Sequence, residues 1–201
     1  MQRHVHNNFL QWLGFNVKKS NDKKAIKDYI DFVERRFKLV MFTEYFDESL
    51  VLLRRTMNWS MTDIFYSYAN EATKKSGTVL SPDDINKLLN IKHNLGDWML
   101  YQHFNKSFWE KVSTQPEFFD EVKVFKQLNT KVREFCFSQE LEKDKSLKLE
   151  LITKWELDPL YFGEKDCLAI RIKDGKALEF SHALDKYCPF RSSKLKYELK
   201  Y

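Results

Sequence analysis

Five residues able to carry a proton, a charge or a reactive oxygen stand close together in the run FTEYFDESLVLLRRTMNW at 42–59: Glu44, Tyr45, Asp47, Glu48 and Ser49. A carboxylate beside a phenol can take a proton from a hydroxyl or orient it. In an open α/β sheet, ligands bind beyond the carboxyl ends of the strands. Glu44 and Tyr45 would stand there if the apolar run before them is a strand. The same letters also read as a helix start, with Asp47 as N-cap, Glu48 favourable to the helix dipole and Glu44 tying down a loop. Residue chemistry alone favours the helix start.

Elsewhere the chemistry is thinner. The chain contains neither GxxxxGK[ST] nor GxGxxG, and KKSGT at 74–78 reads as a surface loop because no strand precedes it. His4 and His6 alternate near the N-terminus without further ligands, His93 and His103 fall in aromatic-rich helical sequence, and His182 has no context, so no metal is expected. Two sequons occur, Asn58-Trp59-Ser60 and Asn105-Lys106-Ser107, which matter only in a secretory compartment. Cys136, Cys167 and Cys188 form no CxxC knuckle; three cysteines permit one disulfide and a thiol, or three thiols.

These residues need elements to hold them. FKLVMF at 37–42 is almost continuously apolar and predicts a strand buried on both faces, as in a parallel sheet. A helix over 25–36 precedes it, and the next helix should turn Phe46, Leu50, Leu53 and Met57 to the core. NNFLQWLG predicts a short helix stopped at Gly14. Ser81, Pro82 and Asp84 read as a capped helix start. Helices are expected over 97–112 and 115–136, the second with Phe118, Val122, Phe125, Leu128, Val132 and Phe135 in one stripe. Residues 137–148 read as a charged hinge and 147–155 as an alternating strand, followed by a loop-rich tail with one weak helix. The expected fold class is α/β, predominantly helical with one or a few buried parallel strands, in a single domain over 1–201.

Composition agrees with a packed core. Of 201 residues, 43% are apolar, and 17 Phe, nine Tyr and five Trp imply a core of rings. Only five Gly and four Pro argue against a turn-rich β-sandwich. The net charge of +5 is spread among interleaved acids and bases, with no basic block of nucleic-acid type. No apolar run reaches the length of a membrane span, and the first residues lack a signal-peptide core, which on its own reads as cytosolic.

The acid cluster also carries a resemblance. VERRFKLVMFTEYFDESLVLLRRTMNWSMTDIFY at 33–66 resembles the core segment of the galactose 3-O-sulfotransferases, the family that includes galactosylceramide sulfotransferase. WMLYQHFNKSFWEKV at 98–112 is similar to the family's stretch around HFN-x-SFW, and Asn105 falls on its sequon. The similarity covers roughly 1–140, is strongest over 25–140, and thins over 141–201. It implies the C-terminal half of a P-loop-related fold in a Golgi membrane enzyme whose anchor is missing here. The implied reaction moves a sulfuryl group from 3′-phosphoadenosine 5′-phosphosulfate to the 3-hydroxyl of β-galactose on a glycolipid or glycoprotein. The family's donor loop, its 3′-phosphate segment and its base have no counterpart in this chain, so the chain alone is expected to be inactive. Glu44 and Tyr45 become ligand-edge candidates, Arg54 a candidate for holding an anion, and Trp98, Tyr101 and Trp109 candidates for stacking on sugar or for core packing. The resemblance also implies a Cys136–Cys188 bond with Cys167 free. The alternative is a non-catalytic helical binding module that keeps only the back half of the fold.

Overall fold

The computed structural model describes residues 8–67, 81, 83 and 94–171. The Ser81 helix start, the 74–78 loop, His4, His6, His93, His182, Cys188 and the tail helix lie largely or wholly outside these. The chain divides into two compact units: 1–60 with 73–125, and 61–72 with 126–201.

The first unit is helical. α1 (Asn8–Trp12) is short and ends at Gly14, whose φ of +98° is a left-handed conformation that costs glycine nothing. The N–H groups of Phe9 and Leu10 donate to the Asp97 carboxylate at 3.1 and 3.0 Å, so an acid from a distant helix caps α1. α2 (Lys23–Glu34), close to the helix expected over 25–36, starts at Asp22, which accepts from the N–H of Lys24 and Ala25, and it buries Ile26, Ile30 and Val33. α3 (Phe46–Met57) follows a 3₁₀ turn over Thr43–Tyr45 and closes at Asn58 in the left-handed region, φ 54°. α4 (Leu95–Ser113) buries Gly96, Leu100, Phe104, Phe108 and Val112, an unbroken i, i+4 stripe.

α5 (Phe118–Cys136) matches the expected long helix; Phe118, Val122 and Phe125 are buried in the first unit, Leu128 and Val132 in the second, and Phe135 is half-buried. The second unit continues with α6 (Gln139–Lys143), capped by the Ser138 hydroxyl, within the stretch expected to be a hinge. β1 (Lys148–Leu151) pairs antiparallel with β2 (Leu160–Gly163), Leu149 opposite Phe162, and α7 (Glu164–Arg171) follows. The alternating strand expected at 147–155 is therefore real but shorter.

Three expectations are corrected. Residues 37–42 are not a strand, and the only sheet among the described residues is the β1–β2 pair, so the α/β class with buried parallel strands becomes a mostly helical fold. A strand buried on both faces needs neighbours in its ladder. Here Phe37 is 45% and Met41 38% exposed, and the Phe42 backbone bonds to a side chain instead. Asp47 is not the N-cap: the 3₁₀ turn leads straight into the helix, Tyr45 takes the cap position, and Asp47 lies in the first turn. The core stripe of α3 is also displaced. Phe46 and Met57 are exposed, while Ser49, Val51, Leu52 and Arg54 are buried. A leucine-rich helix offers more than one apolar stripe, and buried polar partners chose this one.

Candidate functional site

The corner between residue 42 and α3 is built around one hydroxyl. Ser49 Oγ accepts the Phe42 N–H at 2.9 Å and donates to the Phe42 carbonyl at 3.1 Å, both buried. The pair closes the intervening chain into a fixed loop and presents Thr43 and Glu44 outward. Phe42 and Tyr45 anchor that loop in rings: Phe42 meets Phe108 edge-on at 5.6 Å, and Tyr45 meets Trp109 edge-on at 4.8 Å. Tyr45 is thus mainly a packing residue.

Glu44 is exposed, and its partner comes from α4. The Tyr101 hydroxyl donates to Glu44 Oε1 at 2.7 Å, and Thr43 Oγ1 lies 3.4 Å from Oε2. The Tyr101 bond holds the Glu44 carboxyl below the usual carboxylate range. In return, donating to Glu44 pushes the Tyr101 phenol up to about 12. Tyr101 meets the edge of Phe42 at 5.5 Å, and its other neighbour is Trp98, stacked at 5.7 Å with only 13° between planes. Carboxylate and phenol therefore stand beside a pair of parallel, half-exposed rings.

This arrangement decides what Glu44 can do. A general base works best with a pKa near the operating pH. A carboxylate held low stays ionised and accepts hydrogen bonds, so Glu44 suits orienting a hydroxyl more than removing its proton. Arg54 is not available for an anion: it is buried, and its Nη1 lies 2.6 Å from Glu121 Oε1. Arg55 shares the same carboxylate, Nε to Oε2 at 2.6 Å, and its Nη2 donates to the Pro116 carbonyl at 3.0 Å. Of the two roles open to it, Trp109 takes packing, meeting Tyr45 and Phe108 edge-on.

The other sequence candidates fall apart from this corner. Asn58 is exposed at the end of α3. Asn105 is half-buried inside α4, with its Oδ1 buried and unbonded. The implied Cys136–Cys188 pairing is corrected, because Cys136 bonds Cys167, and both are fully buried. Their elements, α5 and α7, meet in the second unit, where the Arg171 guanidinium also donates to the Cys136 carbonyl. Sequence reading missed the Tyr101–Glu44 bond and the Ser49 tie, since no local pattern marks contacts between residues 57 apart or a serine hidden in a helix stripe.

The described residues do not fit a phosphosulfate donor. Such an anion needs a helix start with unpaired N–H groups and no negative side chain. Here α2 begins at Asp22, α3 carries Asp47 and Glu48 in its first turn, α4 carries Asp97, and α5 carries Asp120 and Glu121.

Comparison with known proteins identifies the lineage. The family model described as galactose-3-O-sulfotransferase matches residues 1–186. Galactose-3-O-sulfotransferase 2 from Sus scrofa is 31% identical over 166 residues, 81% of this chain and 40% of that protein. Human galactosylceramide sulfotransferase is 32% identical over 174 residues, 85% of this chain and 39% of that protein. Galactose-3-O-sulfotransferase 3 from Mus musculus is 37% identical over 111 residues, 54% of this chain and 26% of that protein. The chain thus spans well under half the length of these relatives, and no solved structure matches it. With a family model covering nearly its whole length, the chain belongs to the galactose-3-O-sulfotransferase family.

Proposed function

We propose that this chain forms the acceptor-facing part of a carbohydrate sulfotransferase. The reaction is transfer of a sulfuryl group from 3′-phosphoadenosine 5′-phosphosulfate to the 3-hydroxyl of a terminal β-galactose, on a glycolipid such as galactosylceramide or on a glycoprotein. The observation that carries this reading is the Glu44–Tyr101–Trp98 group, on a chain of this family. Ionised Glu44 accepts a hydrogen bond from a sugar hydroxyl, and the parallel rings of Tyr101 and Trp98 offer a ledge to the C–H face of galactose. Donor binding and proton removal belong to residues other than these, and the chain alone is inactive in this reading.

The reading extends to the Golgi lumen. The buried Cys136–Cys167 bond supports it, since such bonds persist in oxidising compartments. Among the described residues no helix is long and apolar enough to cross a membrane. A P-loop-related sheet is part of the proposal too. The apolar, half-exposed segment 37–42, without a ladder partner among the described residues, supports it as a place where further strands would add.

Galactoside titration of the 201-residue chain, followed by NMR, tests the acceptor site. Methyl β-galactoside should shift the Trp98 indole and Tyr101 ring signals, methyl β-glucoside much less, and Trp98→Ala and Glu44→Gln should each abolish the difference. Equal response to both sugars, or none, would favour the non-catalytic helical module. Calorimetry with the donor should show no binding; stoichiometric binding would overturn the assignment of this chain to the acceptor side alone.

A further inference from the structure

We propose a divalent zinc-type site between α2 and α4, formed by Asp31, Glu34 and His103. It is independent of the sulfuryl-transfer reading and uses none of the residues assigned to the acceptor.

Asp31 and Glu34 are three positions apart on α2, so their carboxylates share one face. His103 reaches them from α4, which packs on α2. One ligand atom from each lies within 4.8 Å of the other two. Zinc binds imidazole nitrogen and carboxylate oxygen at about 2.0–2.2 Å in tetrahedral geometry, so two ligand atoms of one ion stand about 3.3–3.6 Å apart. Small side-chain rotations close the set.

Two further features point to an ion rather than a plain pair. His103 Nε2 lies 2.9 Å from Glu34 Oε2, yet this buried nitrogen makes no aligned hydrogen bond. The two atoms are close without the N–H direction that would explain it, whereas a cation accepts both lone pairs. The other Glu34 oxygen, Oε1, lies 3.4 Å from the Ser107 hydroxyl, one helical turn beyond His103. Metal-bound carboxylates commonly have such an outer partner to fix their orientation. Asp31 brings a second negative charge, and two carboxylates neutralise a dication.

The donor set selects the ion. Magnesium and calcium prefer oxygen ligands throughout, while one imidazole with two carboxylates suits zinc and its neighbours. Three protein ligands leave a position for water. Both carboxylates are partly exposed where α2 packs on α4, which suits a clamp joining the two helices.

Zinc chloride titration of the full chain by calorimetry, with thermal melting in parallel, tests the site. One zinc ion should bind per chain and raise the melting temperature in a concentration-dependent way; magnesium should do neither. His103→Gln and Asp31→Asn should each weaken zinc binding by more than about tenfold, and Ser107→Ala by up to about tenfold. Asp31→Asn alters only a partly exposed side chain, so it keeps the test valid should His103→Gln unfold. His4→Gln with His6→Gln should leave binding intact, and cobalt should give a visible absorption band that His103→Gln removes. Absence of saturable zinc binding, equal response to magnesium, or binding lost with His4 and His6 but kept without His103 would overturn the proposal.

Discussion

Ser49 holds the Phe42 peptide by both of its ends, accepting from the N–H at 2.9 Å and donating to the C=O at 3.1 Å inside the core. One hydroxyl thus takes the place of a strand ladder for that residue. Ser49→Ala leaves the buried Phe42 N–H without its partner, which is expensive, while the Phe42 carbonyl keeps the Tyr45 N–H at 3.2 Å. The expected loss is about 1–3 kcal/mol in urea unfolding, with the Glu44 loop losing order. A change within experimental error would mean that water or a shifted backbone replaces the tie.

Tyr101 and Glu44 set each other's proton affinity, and the signs differ. The Glu44 carboxyl is depressed from its ordinary 4.5, so its contribution to stability is present above that value and lost as pH falls through its lower folded value. The Tyr101 phenol is raised from 10.0 to about 12, so its contribution is whole below 10 and fades as pH rises from 10 through about 12. Tyr101→Phe should remove the phenol's effect and most of the Glu44 depression, of which Tyr101 is the largest cause. Carbon-detected NMR titration of Glu44 should show its pKa rising toward the ordinary value in that variant, and ultraviolet titration should lose one late-ionising phenol. An unmoved Glu44 would mean that Thr43 and the local backbone, not Tyr101, hold the carboxyl low.

The long helices were legible because their apolar spacing is simple. The stripe Phe118, Val122, Phe125, Leu128 and Val132 advances by three or four positions at each step, near the helical period. The corner was not legible for the opposite reason. FKLVMF is apolar enough for a buried strand, but a strand exists only with neighbours, and a single sequence does not display them. In α3 the buried Ser49 and Arg54 look like surface letters, while Phe46 and Met57 look like core. Their places are decided by Phe42 and Glu121, distant or already turned away in the sequence. Glu44 was found as a candidate from its position after the apolar run; its partner Tyr101 was noticed only as an aromatic ring.

Glu121 is fully buried between two arginines, with Arg54 and Arg55 each 2.6 Å from a different oxygen. Such a cluster adds less to stability than its short distances suggest, because three charges have left water. Removing one member is another matter. Glu121→Ala strands the buried Arg54 guanidinium and takes the carboxylate from Arg55 at the junction of α3 and α5, and should cost about 3–5 kcal/mol. Replacing Arg54 by Met together with Glu121→Leu should recover part of that loss, since Arg55 retains the Pro116 carbonyl and Gln115. Denaturant midpoints for the single and double variants decide it. If Glu121→Ala proves mild, water enters the junction and solvates the arginines.

Cys136 and Cys167 form the disulfide among the described residues. Mapping of non-reduced peptides should recover the Cys136–Cys167 link, and alkylation of the denatured, non-reduced chain should label Cys188 alone. The bond joins residues 31 apart, connecting the end of α5 to α7. Closing a loop of that size restricts the unfolded chain by about 3–4 kcal/mol in the chain-entropy account. Both sulfurs are buried, so a reductant should act only as the second unit opens, and reduction should be slow in native buffer and fast in urea. Cys136→Ser with Cys167→Ser should lower stability by a similar amount and make the remaining transition insensitive to reductant. A Cys136–Cys188 link in the peptide map would restore the pairing that the family resemblance implied and require α7 to repack away from α5.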